Sequence, residues 1–282
     1  LEFRRVLFRS MSEMTSATNP VNAPASVAGT VDPRYRRLRV FNLLVGLALL
    51  AETVVIVLLN KPFSIPLTLS YLPPGAPNVT LGKPFKTVEE PSLSVGVCVA
   101  IFLACAAIDH LLVSTVLRRW YERQLDRRAN YARWIEYTFS SSLMIALIVA
   151  LVGVRDLGAI VAIIGVNSAM ILFGLLMERK EVPGNTDWSA FWFSSAVGLV
   201  PWLISVFYFV HASPPGFVWA IVVLQFILFF SFALNMALQY RQIGRWKDYV
   251  AGEYTYIVLS LVAKSLLAWL IFANVIVPAR GR

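Results

Sequence analysis

The chain has 282 residues, of which 58% are hydrophobic, and it carries a formal net charge of +9. Its mean hydropathy of +0.68 is typical of a protein with several membrane spans and excludes an ordinary soluble domain. In such a protein the positive charge indicates orientation in the bilayer rather than binding to nucleic acid.

The N-terminal part of the chain is predicted to lie outside the membrane. Residues 1–10, LEFRRVLFRS, precede Met11 and Met14 and are interpreted as a non-native leader. Residues 11–36 are rich in Ser, Thr, Ala, Asn and Pro, which predicts a disordered cytoplasmic segment. The predicted membrane domain covers residues 37–278.

Seven apolar segments follow, and each is long enough to cross a bilayer. About 20 apolar residues, at a rise of ~1.5 Å per residue, span a hydrocarbon core of ~30 Å. The sequence therefore predicts an all-α bundle of seven transmembrane helices. The segments are 40–59, 92–117, 131–154, 157–177, 188–210, 217–240 and 254–277.

Basic residues are distributed unequally between the two sides of these segments. Outside residues 1–10, fifteen lysines and arginines lie on the side of the N-terminus, and six lie on the opposite side. Because cytoplasmic loops carry an excess of positive charge, we expect a multi-pass protein of the cell membrane with a cytoplasmic N-terminus. The largest basic group lies between the second and third segments and consists of Arg118, Arg119, Arg123, Arg127, Arg128 and Arg133.

The loop after the first segment, residues 60–91, is the longest on the opposite side. It contains two stretches with alternating apolar residues, SIPLTLSYL and NVTLGKPFKTV, and the sequence PPGAP lies between them. This pattern predicts a short β-hairpin in the first extracellular loop. An irregular loop is the alternative.

Lys264 lies at the middle of the last apolar segment. A lysine at that depth is costly and is by default a functional candidate. Desolvation disfavours the ammonium form, and the free amine is a nucleophile toward a carbonyl. The residue therefore predicts a Schiff base with an aldehyde. A structural ion pair with a buried carboxylate, or a lysine in a transport cavity, is the alternative.

Four motifs in order resemble the heliorhodopsins, which are seven-helix retinal proteins distant from the ion-pumping microbial rhodopsins. The resemblance covers approximately residues 37–278, agrees with a cytoplasmic N-terminus, and implies that the β-hairpin helps to join two protomers into a homodimer. The motifs are RWIEYTFSSSLMI (133–145), GVNSAMILFG (165–174), FWF…GLVPW (191–202) and IVLSLVAKSLLAW (257–269).

The resemblance implies that all-trans retinal is bound to Lys264 through a protonated Schiff base, with Glu136 as its counterion. A buried cation of this kind needs a counter-charge. The alternative for Glu136 is a helix-end glutamate that pairs with Arg133, three residues earlier. Ser260 lies four residues before Lys264, on the same helix face, where ion pumps keep a second carboxylate. It supports the site without charge.

Retinal is a long polyene, so the walls of its pocket are expected to be aromatic and mostly apolar. Ordinary helix packing is the alternative for each wall residue. The predicted walls are Tyr137, Ser140, Met144, Asn167, Met170, Trp192, Trp202, Phe229, Phe230 and Trp269.

Two further residues are candidates for holding the displaced proton. The first, His110, matches a histidine that heliorhodopsins place near a hydrated pocket on the counterion side. The family usually has a second histidine in the first helix, where this chain has Leu49. The second candidate, Glu52, stands where an amide is common and is either a proton site or a structural hydrogen-bonding group. The resemblance implies no role for Asp109.

The absence of an internal proton donor favours a light sensor over a pump. Leu147 occupies the place, about three turns after Glu136, where a proton pump keeps a donor carboxylate. We therefore expect a non-enzymatic photoreceptor with a slow photocycle and no net ion pumping, which signals to an unidentified cytoplasmic partner. One alternative is a light-driven proton transporter or light-gated channel that uses Glu52, Asp109 and Glu136. Another is a chromophore-free scaffold or transporter.

Overall fold

The computed structural model describes residues 33–71, 86–88, 92–211 and 214–277. The predicted leader and residues 11–32 of the predicted disordered segment lie outside the described residues. The described part contains eight α-helices, a 3₁₀ turn at Gly244–Lys247 and a π-helical turn at Phe272–Ile276. The helices are α1 (Pro33–Leu59), α2 (Val95–Ser114), α3 (Arg118–Asp126), α4 (Tyr131–Val152), α5 (Leu157–Lys180), α6 (Ser189–His211), α7 (Gly216–Tyr240) and α8 (Tyr249–Ile271).

All of these helices except α3 are long and apolar enough to cross a membrane, which confirms the predicted seven-helix bundle. A bilayer core offers no hydrogen-bond partners, and a helix satisfies its backbone groups internally. α4 is the most buried of the seven, and its burial places it at the centre of the bundle. The outer faces of the other helices carry exposed apolar side chains that suit lipid, such as Leu58 and Val210.

Side-chain caps fix the beginnings of three helices. The side chains of Asn130 and Asp156 accept hydrogen bonds from the backbone of the first turns of α4 and α5, and Asp248 does the same for α8. α4 ends at Gly153, whose φ of 125° suits glycine and lets the chain reverse quickly into α5.

The first loop contains the predicted antiparallel hairpin, in two short ladders. The strands are β1 (Ser64–Pro66), β2 (Leu69–Tyr71), β3 (Lys86–Val88) and β4 (Ser92–Ser94). β1 pairs with β4 and β2 pairs with β3. Thr68 exchanges backbone hydrogen bonds of 2.8 and 2.9 Å with Arg155 and Leu157, so the hairpin is attached to the α4–α5 turn.

The short helix α3 lies in the basic stretch between α2 and α4. Tyr121 and Leu125 are buried on one face, whereas Arg119 and Arg123 are exposed on the other. Tyr35 Oη of α1 donates a hydrogen bond of 2.7 Å to Asp126 at the end of α3. This bond joins the first turn of α1 to the end of α3.

Candidate functional site

A buried lysine and a buried glutamate meet at the centre of the bundle. Lys264 Nζ of α8 lies 3.3 Å from Glu136 Oε2 of α4, and both side chains are almost fully buried. Lys264 Nζ also donates a hydrogen bond of 2.8 Å to Ser260 Oγ, one turn earlier on α8. The two sequence candidates and their predicted neutral neighbour therefore occupy one site.

Two buried polar atoms near the Lys264–Glu136 pair form no hydrogen bond among the described residues. Glu136 Oε1 and Ser140 Oγ are buried and have no partner among the described residues. Lys264 Nζ lies 5.0 Å from the centre of the Tyr137 ring, and Tyr137 Oη donates a bond of 3.2 Å to the Tyr256 carbonyl. An aromatic ring near a cation stabilises it, so the site favours positive charge on the Lys264 nitrogen.

A mostly apolar cavity extends from Lys264 between α4, α5, α6, α7 and α8. Its volume is about 100 Å³, measured as the space that the centre of a water molecule can occupy. One water needs only ~10–15 Å³ on that measure, so the cavity has room for a larger, organic ligand. Its walls are Trp134, Tyr137, Ser141, Met144, Met170, Ile171, Gly174, Phe191, Ser194, Ser195, Phe229, Phe232, Ala233, Met236, Tyr256, Ser260, Ala263 and Lys264.

These walls fit an apolar, conjugated aldehyde. Aromatic rings and methionines line the cavity, and the primary amine of Lys264 lies on its wall. Such a slot accepts a polyene and offers its carbonyl carbon the amine of Lys264. Of the predicted residues, the structure brings Tyr137, Met144, Met170 and Phe229 to this cavity, together with Ser260 and Lys264.

The other predicted wall residues lie elsewhere. Trp192 is 61% exposed and Trp269 39% exposed, on the outside of the bundle. Asn167 is buried behind the wall and donates hydrogen bonds to Ser141 and Ser142. Trp202 is buried with its ring edge-on to the Phe229 ring, whereas Phe230 and Ser140 are not part of the cavity wall.

Helical spacing explains both the misplaced residues and the residues that sequence reasoning missed. Successive side chains on a helix point about 100° apart, so Phe191 faces the cavity and its neighbour Trp192 faces outward. On α4 the wall residues Trp134, Tyr137, Ser141 and Met144 follow the spacing of one helix face. This periodicity, started from Tyr137, is the signal that identifies Trp134 and Ser141 as wall residues.

A second, polar cavity lies on the α3 side of the Lys264–Glu136 pair. Its volume is about 20 Å³ on the same measure, which is room for one water molecule. α1, α2, α3, α4 and α8 all contribute to it. Its walls are Asn42, Asp109, His110, Val113, Tyr121, Asn130, Arg133, Glu136, Tyr137, Glu253, Tyr256 and Ile257.

Asn42 fixes the orientation of the His110 ring at this cavity. Asn42 Nδ2 donates a hydrogen bond of 3.1 Å to the Leu38 carbonyl, so its oxygen faces His110 Nδ1 at 2.7 Å. Because that oxygen can only accept, Nδ1 carries the proton of the ring. Nε2 is then the position at which His110 can take up another proton. Leu49, at the place of the missing histidine, is fully buried in the apolar core.

A buried ionic cluster closes the same region. Arg133 forms ion pairs with Glu178 of α5 and Glu253 of α8, and all three side chains are nearly inaccessible. Arg133 therefore pairs with these two carboxylates, while Glu136 pairs with Lys264, and the alternative Arg133–Glu136 pairing is not observed. Burial, followed by the nearby charge of Glu253, raises the pKa of the Tyr121 phenol of α3 well above its ordinary value.

Glu52 of α1 contacts α8 at the residue next to Lys264. Ser265, the residue after Lys264, donates a hydrogen bond of 2.8 Å from its hydroxyl to Glu52 Oε2 of α1. The contact joins a carboxyl group of α1 to the segment of α8 that carries Lys264.

A bundle of seven membrane helices that encloses a lysine–glutamate pair beside an aromatic cavity has the arrangement expected of a retinal-binding rhodopsin. The family model for heliorhodopsin matches residues 38–276, and the chain belongs to the heliorhodopsin family. A comparison with curated proteins found no match. The chain is therefore a multi-pass membrane protein whose chromophore is retinal.

Proposed function

We propose that this protein is a photoreceptor in which all-trans retinal is attached to Lys264 and Glu136 is the counterion. The observation that carries the proposal is the 3.3 Å contact between Lys264 Nζ and Glu136 Oε2 at the wall of the aromatic cavity. The Lys264 nitrogen is the atom to which retinal would be bonded. Bound retinal supplies absorption of visible light and isomerisation.

The residues around the Lys264 nitrogen hold it in its protonated form in the dark. Glu136 supplies the negative charge, Ser260 accepts a hydrogen bond, and the Tyr137 ring adds attraction for a cation. After illumination the proton on this nitrogen leaves toward Glu136 and the polar cavity, where His110 Nε2 is a place to hold it. Its slow return gives a long-lived state that a partner can detect.

We also propose that the protein carries out no net ion pumping. Glu136 is the only carboxylate in α4, and Leu147 is fully buried at the place of a pump's internal donor. We expect no protonophore-sensitive pH change when cells that contain the retinal-loaded protein are illuminated. Cells with Lys264→Ala are the matched control, because any pH change they share is unrelated to the chromophore.

The second candidate function is light-driven proton transport or a light-gated channel. It is favoured by the convergence of Asp109, Glu136 and Glu253 on one polar cavity. A sustained light-induced pH change or photocurrent, absent from the Lys264→Ala cells, would establish this function and remove the sensor proposal.

We further propose a cytoplasmic N-terminus and a homodimer. The charge distribution supports the orientation, and exposed Leu69 and Tyr71 of the hairpin offer apolar surface to a second copy. Single cysteines introduced at exposed Arg123 and Asp156 test the orientation with a membrane-impermeant thiol reagent, because only the second should react in intact cells. Crosslinking of hairpin cysteines in the membrane tests the dimer.

The basic face of α3 is the proposed docking surface for an unidentified signalling partner.

Glu52→Gln tests whether Glu52 is a proton-holding group. Glu52 lies within the membrane-spanning helix α1, and we expect its carboxyl group to change its hydrogen bonding with Ser265 during the photocycle. Light–dark difference infrared spectra should show a carboxylic C=O band that disappears in Glu52→Gln. The control is Glu122→Gln, which alters a carboxylate paired with Arg118 outside the membrane spans. If the band persists in Glu52→Gln, the role of Glu52 is structural.

A further inference from the structure

The polar cavity contains one carboxyl group that the proposed mechanism does not use and that takes part in no ion pair among the described residues. Asp109 of α2 lies on the cavity wall with Glu136 of α4 and Glu253 of α8. No cation lies within ion-pair distance of Asp109 among the described residues, whereas the other two carboxylates each have one.

The charges around the cavity decide the protonation state of Asp109. Arg133 is shared between Glu178 and Glu253, and Lys264 is paired with Glu136. Two cations thus already face three carboxylates. A fourth negative charge, on the half-buried Asp109, would have no compensating cation, and repulsion from the three carboxylates favours its neutral form.

No other titratable group near the cavity supplies that missing charge. The His110 ring donates to Asn42 through Nδ1 and has no carboxylate within ion-pair distance among the described residues, so it is neutral. The remaining titratable groups are Cys105 on α2, Tyr121 on α3, Tyr137 on α4 and Tyr256 on α8, none of which is a cation.

We propose that Asp109 is a protonated carboxyl group in the dark and that it tunes the Lys264–Glu136 pair through the intervening water-sized cavity. The cavity has room for one water molecule, which can accept the Asp109 proton in a hydrogen bond and donate to the unpartnered Glu136 Oε1. Loss of the Asp109 proton at alkaline pH then adds a second negative charge near the Lys264 nitrogen. Asp109 is therefore a positioning residue, which acts through Glu136. The inference rests on the proposed attachment of retinal to Lys264.

The visible spectrum gives the first test. In the wild-type pigment, raising the pH should produce a one-proton shift of the absorption to shorter wavelength before the chromophore itself loses its proton, because added negative charge stabilises the charge on the nitrogen. In Asp109→Asn this step should be absent and the neutral-pH spectrum unchanged, since an amide resembles a neutral carboxyl group. Asp109→Glu should retain a step. A shift of the neutral-pH spectrum to longer wavelength in Asp109→Asn would show that Asp109 is ionised, and would overturn the proposal.

Infrared spectroscopy of the retinal-free protein gives the second test. Protein labelled with ¹³C at aspartate carboxyls should show a carboxylic C=O band in the dark that titrates with pH and is missing in Asp109→Asn. Asp126→Asn, an exposed aspartate of α3, is the matched control and should leave the band in place. A spectrum without this band overturns the proposal. Failure of the wild type to form pigment would contradict the proposed function, while this measurement would still decide the state of Asp109.

Discussion

Lys264→Ala is expected to abolish visible absorption completely when retinal is added, while the protein still inserts into the membrane. Among the described residues, Lys264 is the only primary amine on the wall of the aromatic cavity, and alanine offers no nucleophile. The measurement is the absorption spectrum of the purified protein after incubation with all-trans retinal. The control is Lys180→Ala, because Lys180 is exposed at the end of α5 and should leave the pigment unchanged.

The single substitution leaves Glu136 buried without its cation. Breaking a buried pair from one side costs about 3–5 kcal/mol unless the remaining carboxylate takes up a proton. The double variant Lys264→Ala/Glu136→Gln removes both charges, so it separates loss of the attachment site from loss of folding. Normal pigment in either variant would refute the assignment of Lys264. A folded wild-type protein that stays colourless with retinal would instead favour the structural lysine–glutamate pair.

Glu136→Gln is expected to move the absorption of the pigment to longer wavelength and to make the chromophore lose its proton at lower pH. Glutamine keeps the size and a hydrogen-bonding oxygen but carries no charge, and Ser260 alone cannot neutralise the cation. Without the nearby carboxylate, the positive charge is less localised in the ground state and the protonated form is less stable. A pH titration of the visible spectrum measures both effects.

The control for this variant is Glu122→Gln, whose carboxylate pairs with Arg118 outside the membrane spans. It should reproduce the wild-type spectrum and titration. An unchanged spectrum and titration in Glu136→Gln would mean that another group, such as Asp109, is the counterion.

Much of the fold could be predicted from the apolar pattern, because each of the seven long apolar segments predicts a membrane-spanning helix. The ends of the helices were harder to predict. α1 begins at Pro33 rather than near Val40, and α8 begins at Tyr249 rather than Tyr254. Hydropathy detects the part of a helix in hydrocarbon, whereas these helices continue through the polar interface, where charged residues are tolerated. α3 escaped prediction since it is short and basic.

Some residues of the site could likewise be predicted from the sequence, and others could not. Lys264 could be predicted from its depth in an apolar segment and Ser260 from its place one turn earlier, whereas the choice of Glu136 depended on the resemblance to the heliorhodopsins. The partners of Arg133 could not, since Glu178 and Glu253 lie 45 and 120 residues away and only the packing of α4, α5 and α8 brings them together. Aromatic residues alone did not predict the cavity walls, because their identity does not say which helix face is turned inward.

The Arg133–Glu253 and Glu136–Lys264 contacts together have a consequence for how the protein is assembled. Both join α4 to α8, which follows α4 in the chain, and each contact takes one charge from each helix. Before docking, α8 presents an acid and a base to lipid, which is unfavourable for both. Docking in the native register neutralises both at once, whereas sliding α8 by one turn would separate both pairs. The two contacts therefore fix the register of α8 relative to α4. We expect α8 to enter the bundle only after α4 is in place.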